Sequence, residues 1–134
     1  MANQFLHRDR TVAKPGFNRW LVPPAALAIH LCIGQIYAYS VFNIPLTRIQ
    51  GIDASIAGDW KLTAIGWIFS IALFTLGASA ALFGKWLERV GPRKAMFISA
   101  ICFAGGFMVA ALGVSLHQIW LISLGHGLLG GIGL

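Results

Sequence analysis

Acidic residues are scarce in this chain of 134 residues, where four Asp and Glu stand against ten Lys and Arg. Charged residues of both signs make up only 10% of the sequence, whereas soluble domains carry about 25%. Apolar residues make up 57%, which is more than a domain of this size can hide from water. The composition therefore excludes a soluble globular domain and a disordered chain, and it indicates a protein embedded in lipid.

The chain also lacks the residue sets that enzymes use. It has one Glu, no pair of carboxylates and no nucleophile beside a base. Its two cysteines, Cys32 and Cys102, fall in apolar stretches, where thiols are usually small apolar fillers. The four histidines are too scattered along the sequence to form a metal site locally. We therefore predict a protein without enzyme activity, cofactor or metal.

Three long stretches carry no charge at all, namely 20–47, 62–84 and 95–134. A membrane core about 30 Å thick needs about 20 residues of helix, so the first two stretches fit one span each. The third stretch is long enough for two spans and contains a polar, turn-like break. We therefore predict an all-α membrane protein in which a basic tail at 1–19 precedes four transmembrane spans within 20–134. The predicted spans are about 20–42, 63–84, 93–113 and 118–134.

Lys and Arg are distributed unevenly among the segments between these spans. The tail and the loop 85–94 carry four each, the loop 43–62 carries two, and the segment 114–117 carries none. Basic residues accumulate in short cytoplasmic loops, so we expect the N-terminus on the cytoplasmic side of the cell (inner) membrane. The same residues can contact anionic lipid, so the positive charge does not imply nucleic acid. A cleaved signal peptide within 1–42 is disfavoured because its apolar run is too long.

The strongest local pattern lies between spans 2 and 3. A basic loop that served only to orient the protein would explain its charges but not their spacing. Gly91 permits a tight turn there. The spacing resembles the signature loop of the major facilitator superfamily, Gly-x-x-x-Asp-Arg-x-Gly-x-Arg-Lys, with an acid one carbon longer at position 88. The residues of the pattern are Gly84, Glu88, Arg89, Gly91, Arg93 and Lys94.

This resemblance implies a fold of twelve spans in two six-helix halves, with alternating access around a site near the middle of the membrane. The chain would supply spans 1 to 4 of the N-terminal half. The resemblance also implies that the loop pattern is a conformational latch, because the motif's acid meets the end of a helix from the second half. A carboxylate at a helix N-terminus gains about 0.3–1 kcal/mol.

Span 1 narrows the resemblance to a subfamily. The run Gly34-Gln-Ile-Tyr-Ala-Tyr-Ser-Val-Phe42 is similar to the oxalate/formate antiporter family, as is Gly66-Trp-Ile-Phe-Ser70. Related monocarboxylate transporters share the first pattern and can carry a lysine that contacts the anion, at the position of Val41 here. The resemblance implies transport of small carboxylates such as oxalate, formate, lactate or pyruvate. It also implies that the anion-binding cations lie in second-half spans.

Polar side chains within the predicted spans are candidates for a substrate cavity. A histidine inside a membrane helix is a functional candidate by default, although it can equally be hydrogen-bonded to a neighbouring helix. A helical wheel places Gln35 and Tyr39 roughly opposite the stripe that carries His30 and Tyr37. The candidates are Tyr37, His30, Gln35 and His126.

The last predicted span stays apolar up to Leu134 and lacks a cap and a basic flank. We therefore expect the chain to be truncated within span 4, and three functional hypotheses stay open. The first is an anion transporter whose C-terminal spans are missing here. The second is a truncated product that does not transport. The third is a membrane subunit that pairs with a separately encoded remainder.

Overall fold

The computed structural model shows helices joined by turns. Its described residues contain no strand, which confirms the predicted all-α fold class. Two helices in this part of the chain are long and apolar enough to cross a membrane, and a bent helix pair is a third candidate. Arg8 and Arg10 of the predicted basic tail lie outside the described residues. The structure describes Leu6 and residues 11–51, 53–54 and 56–134.

The first apolar segment, residues 19–46, is bent. Its two parts meet at 43° around Tyr37 and Ala38, so the predicted span 20–42 contains a break. Gly34 and the aromatic and β-branched residues that follow it are weak helix formers, which favours a break at this point. The elements are 3₁₀ turns at Arg19–Leu21, Gly34–Ile36 and Tyr39–Phe42, helix α1 at Val22–Ile33 and helix α2 at Asn43–Leu46.

Helices α3, Leu62–Val90, and α4, Pro92–Ser115, are the two of spanning length. They are joined by Gly91 alone, which has φ 91° and donates its N–H to the carbonyl of Leu87 at 2.9 Å. Only glycine adopts this φ readily, and proline is tolerated in the first turn of a helix. Helix α3 runs past the predicted end of span 2 at 84, because the charged residues there are good helix formers that can leave the membrane as a helix.

Helix α5, Ile119–Gly133, is the shorter apolar helix that occupies the predicted span 118–134. Its middle part, Ser123–Leu129, is a π-helix, so the hydrogen bonds there join residues five apart. A turn that contains His117, with φ 53°, connects α5 to α4. Helix α5 packs against both α3 and α4. It therefore forms the centre of the described bundle.

Close backbone contact between α4 and α5 depends on glycine. A Cβ atom at Gly106 would lie 2.5 Å from the carbonyl oxygen of Gly125 and 2.9 Å from the amide nitrogen of Gly130. Lipid provides no hydrophobic force between helices, so small residues that permit such contact drive helix association in membranes. These contacts fix the position of α5 and of the side chains that it carries.

Candidate functional site

Four rings meet in the interior of the bundle. The ring of His126 on α5 stacks on Tyr39 of the first segment, with centroids 4.8 Å apart and planes at 27°. Phe107 of α4 meets His126 edge-on at 5.3 Å, and Phe69 of α3 stacks on Tyr39 at 6.1 Å. His126 is 4% exposed and Tyr39 is 6% exposed. This ring cluster therefore draws one ring from each of four helical segments, two of them buried and those of Phe69 and Phe107 half-buried.

Several buried polar atoms in and near this cluster form no hydrogen bond in the described chain. The hydroxyl of Tyr39 and Nε2 of His126 are buried without a hydrogen-bond partner among the described residues. The same holds for Nε2 of Gln35 and Oδ1 of Asn43. A buried polar atom without a partner costs about 1–3 kcal/mol. Gln35, Tyr39 and Asn43 all belong to the bent first segment, so this segment contributes three of the four buried polar atoms that have no partner in the described chain.

The four predicted cavity residues differ in exposure: two are exposed, and two are half-buried or buried. Tyr37 is 66% exposed, and His30 is exposed with Nδ1 3.0 Å from the carbonyl oxygen of Ala26. Gln35 is half-buried and His126 is buried. The assignment of all four to a substrate cavity stays a prediction. Sequence reasoning placed Tyr39 beside Gln35 but did not make it a candidate, and the four-residue spacing between them was the signal that could have done so.

The predicted latch pattern lies at the junction of α3 and α4. Glu88 and Arg89 are exposed in the last turn of α3, and Arg93 and Lys94 are half-buried in the first turns of α4. Gly84 lies earlier in α3, and nothing is within 4 Å of where its Cβ would be. The fold thus confines the pattern to one end of a helix pair. Its role as a latch stays a prediction.

The opposite end of the bundle is organised by Asp59. Its carboxylate accepts hydrogen bonds from the N–H groups of Gln50 at 2.8 Å, Gly51 at 3.1 Å and Ile56 at 3.1 Å. The bond from Gln50 is the main reason that the pKa of Asp59 lies below its ordinary value. Sequence reasoning counted Asp59 only as a charge, although an aspartate that accepts from nearby backbone N–H groups is common in turns.

A second contact joins this loop to the turn between α4 and α5. Nε2 of His117 lies 3.0 Å from the carbonyl oxygen of Gly58. The ring of His117 also stacks on Trp60, with centroids 4.5 Å apart and planes at 14°. The end of the bundle away from Gly91 is therefore held by side chains, whereas the other end is held by a one-residue turn. Among the described residues, no group of three or more His, Cys, Asp or Glu could hold a metal ion.

Three known proteins resemble parts of this chain. It is 26% identical to the uncharacterized MFS-type transporter YhjX of Escherichia coli K12, over 78% of the chain and 24% of that protein. It is 27% identical to MFS-type transporter 1 of an Ophiocordyceps species, over 79% and 22%. It is 28% identical to the riboflavin transporter MCH5 of Saccharomyces cerevisiae, over 72% and 18%.

These relatives support the major facilitator superfamily. They are transporters rather than enzymes, and together with the apolar helices they indicate a membrane protein. They do not confirm the oxalate/formate antiporter family. The matched part spans about a quarter or less of each of these relatives. No family model matches the chain, and no solved structure shows significant similarity to it.

Proposed function

We propose that this chain forms the first helices of a secondary active transporter that moves small organic anions, such as oxalate, formate or other mono- and dicarboxylates, by alternating access. The observation that carries the proposal is the turn at Gly91. There, two helices of membrane-spanning length meet within the signature spacing from Gly84 to Lys94. Because the matched relatives are at least four times longer than the matched part, the complete activity requires further spans.

In this proposal the N-terminus and the Gly91 turn face the cytoplasm of the inner membrane, and the loop 47–61 faces outside. The Lys and Arg asymmetry between the two ends supports this orientation. The open surface at Gly84 supports a latch, because it leaves room for a helix from the second half to approach α3. Glu88 is exposed one turn further on, where its carboxylate can reach the N-terminus of that helix.

The buried polar atoms of the first segment support a polar solute as the substrate. The Tyr39 hydroxyl and the Gln35 amide can each donate to a carboxylate oxygen. The charge-free stretches contain no Lys or Arg, and a carboxylate buried without a positive partner costs several kcal/mol or more. The transporter we propose therefore obtains its anion-neutralising cations from spans beyond this chain.

A planar, uncharged heterocycle is the second candidate substrate. The ring cluster supplies stacked aromatic faces together with hydrogen-bonding groups and no cation. Aromatic rings with uncharged hydrogen-bonding groups suit a flat polar ring better than they suit a bare anion. The relative MCH5, 28% identical over 72% of the chain, is named a riboflavin transporter.

Uptake by the full-length protein in liposomes distinguishes these substrates. We expect saturable uptake of labelled oxalate, formate or lactate, and no uptake by the 134-residue chain alone, because the chain holds only part of one half. Saturable uptake of riboflavin without any carboxylate uptake would favour the second candidate. Saturable uptake by the 134-residue chain itself would contradict the requirement for further spans.

Two tyrosines provide a matched pair of variants for the same assay. Tyr39→Phe removes a buried hydroxyl and should weaken transport, whereas Tyr37→Phe removes an exposed hydroxyl and should weaken transport only if Tyr37 also lines the cavity. The DNA downstream of the coding sequence tests the other hypotheses. An early stop with no partner gene would favour a truncated product that does not transport. A separate adjacent frame with the missing spans would favour a two-subunit protein.

A further inference from the structure

The π-helix in α5 surrounds His126. At the end of the π-helix Ser123–Leu129, the N–H of Gly130 donates to the carbonyl of Gly125, five residues back rather than four. π-helical turns are rare in helices and occur frequently at functional sites. This turn sets the rotation of α5 about its axis at His126. It therefore decides whether the imidazole enters the ring cluster.

One side chain on α3 bonds to the backbone of this turn. The hydroxyl of Thr75, which is buried, lies 2.8 Å from the carbonyl oxygen of Gly127, the residue after His126. It also lies 2.9 Å from the carbonyl oxygen of Ile71 and 3.0 Å from that of Ala72, both in its own helix. A hydroxyl has one hydrogen to donate, so these three acceptors compete for it. The bond to Gly127 is the one that crosses between helices, and it is the shortest.

Glycine allows the hydroxyl to reach this carbonyl. A Cβ atom at Gly127 would lie 3.0 Å from Cγ2 of Ile71, and a Cβ atom at Gly131 would collide with the hydroxyl of Thr75. The backbone of α5 thus lies directly against α3 on both sides of the bond. A hydrogen bond between two helices in an apolar interior fixes their relative rotation as well as their distance.

We propose that Thr75 is a positioning residue whose bond to the Gly127 carbonyl keeps the turn π-helical and so holds His126 between Tyr39 and Phe107. A π turn contains one more residue than an α turn, and one residue corresponds to about 100° of rotation. If the turn relaxes to α-helix, His126 rotates out of the ring cluster. The role of Thr75 in positioning His126 does not depend on the proposed function. Only the expected effect of Thr75 on transport rests on it.

The imidazole proton resonances of His126 in the 134-residue chain in lipid nanodiscs test this proposal. They are assigned by their loss in His126→Gln. The rings of Tyr39 and Phe107 shift these resonances as long as the imidazole lies between them. Thr75→Val keeps the shape of the side chain and removes the hydroxyl, so it should move the resonances towards the values of an isolated histidine. Thr75→Ser keeps the hydroxyl and should leave them in place.

Ser79 provides the matched control, because its hydroxyl donates to the carbonyl of Leu76 in the same helix, at 2.9 Å, and to no other helix of the described chain. Ser79→Ala should leave the resonances of His126 unchanged. Unchanged resonances in Thr75→Val would overturn the proposal, as would a shift in Ser79→Ala or in Thr75→Ser. Loss of the fold with both Val and Ala at position 75, but not with Ser, would also overturn it, because the hydroxyl would then hold the whole bundle.

The measurement does not depend on transport, so the two proposals fail separately. If the resonances behave as expected and the full-length protein transports nothing, the proposed function is wrong and the role of Thr75 stands. If the protein transports a carboxylate and Thr75→Val leaves the resonances in place, the role of Thr75 is wrong. In a transporting protein, Thr75→Val and His126→Gln should each reduce uptake several-fold. The double variant should be no worse than His126→Gln.

Discussion

Helices α1 and α5 are both apolar, but the described chain holds them in different ways. Helix α5 contains buried glycines and a buried histidine, and its backbone touches α3 and α4. Helix α1 has no buried residue, and Ile36 and Tyr39 are the buried apolar residues of the described first segment. The difference shows that apolar character does not decide packing here. What distinguishes α5 is its glycines, which admit the backbone of a neighbouring helix, as expected where lipid is the solvent.

The largest effect should come from filling a glycine contact between α4 and α5. Gly106→Ala places a methyl group 2.5 Å from the carbonyl oxygen of Gly125, so the helices must move apart. Overpacking of this kind typically costs about 1–3 kcal/mol. The free energy of unfolding of the chain in detergent, measured by circular dichroism, should fall by that amount.

The neighbouring residue is the control for that variant. Nothing lies within 4 Å of where the Cβ of Gly105 would be, although it is in the same turn of the same helix. Gly105→Ala should therefore leave stability unchanged or raise it by about 0.5–1 kcal/mol, because alanine favours helix. Equal destabilisation by the two variants would show that α5 is not held by close backbone contact.

Gly84→Val should affect folding less than Gly106→Ala does. It should, however, strongly reduce transport. Apart from its chain neighbours and the backbone of its own helix, no described atom is within 4 Å of its Cβ position, so the chain should remain folded. Uptake by the full-length protein should nevertheless fall, because valine would block a helix of the second half. Gly77→Val, in the same helix with an equally open surface, is the control. If uptake tolerates Gly84→Val while the protein stays abundant, the pattern acts only as an orientation signal.

The smallest effect should be the response of the Asp59 loop to acid. The pKa of Asp59 is lowered in the folded chain, so its contribution to stability is complete above the ordinary aspartate pKa and is lost as the pH falls through the folded value. Protection of the Gln50 and Ile56 amides from hydrogen exchange, relative to the intrinsic exchange rate at each pH, should therefore fall at acidic pH. Asp59→Asn should give weak protection at all pH values, because a neutral amide is a weaker acceptor. A persistent acid response in that variant would show that another group controls the loop.

The all-α fold class and its long apolar helices could be predicted from the sequence, because the cost of placing charge in a membrane leaves charge-free stretches. Gly91 and Pro92 indicated the junction of α3 and α4, because glycine permits a tight turn and proline suits the first turn of a helix. The bend at Tyr37 and Ala38 was not predicted, because the hydrophobic pattern continues through it. The end of α3 at Val90 was also missed, since hydropathy marks where a helix leaves the membrane rather than where it ends.

The candidate site was less predictable, because it is built from contacts between distant residues. His126 and Gln35 were recognisable as polar residues in apolar spans, but the stacking of His126 on Tyr39 depends on how α5 is rotated. That rotation follows from the π turn and from Thr75, which the sequence presents as an ordinary threonine in an apolar helix. The exposure of His30 and Tyr37 likewise depends on where the first segment bends.

The central claim is that α3 and α4 cross the membrane and meet at a cytoplasmic turn, as the proposed transporter requires. Labelling of single cysteines with a membrane-impermeant maleimide tests it most directly, in intact cells and in a background where Cys32 and Cys102 are replaced by alanine. Ala57→Cys, in the exposed loop before α3, should be labelled from outside, and Trp86→Cys, near the end of α3, should be labelled only after the cells are opened. Labelling of Trp86→Cys but not Ala57→Cys in intact cells would reverse the orientation. Labelling of both would show that α3 does not cross the membrane.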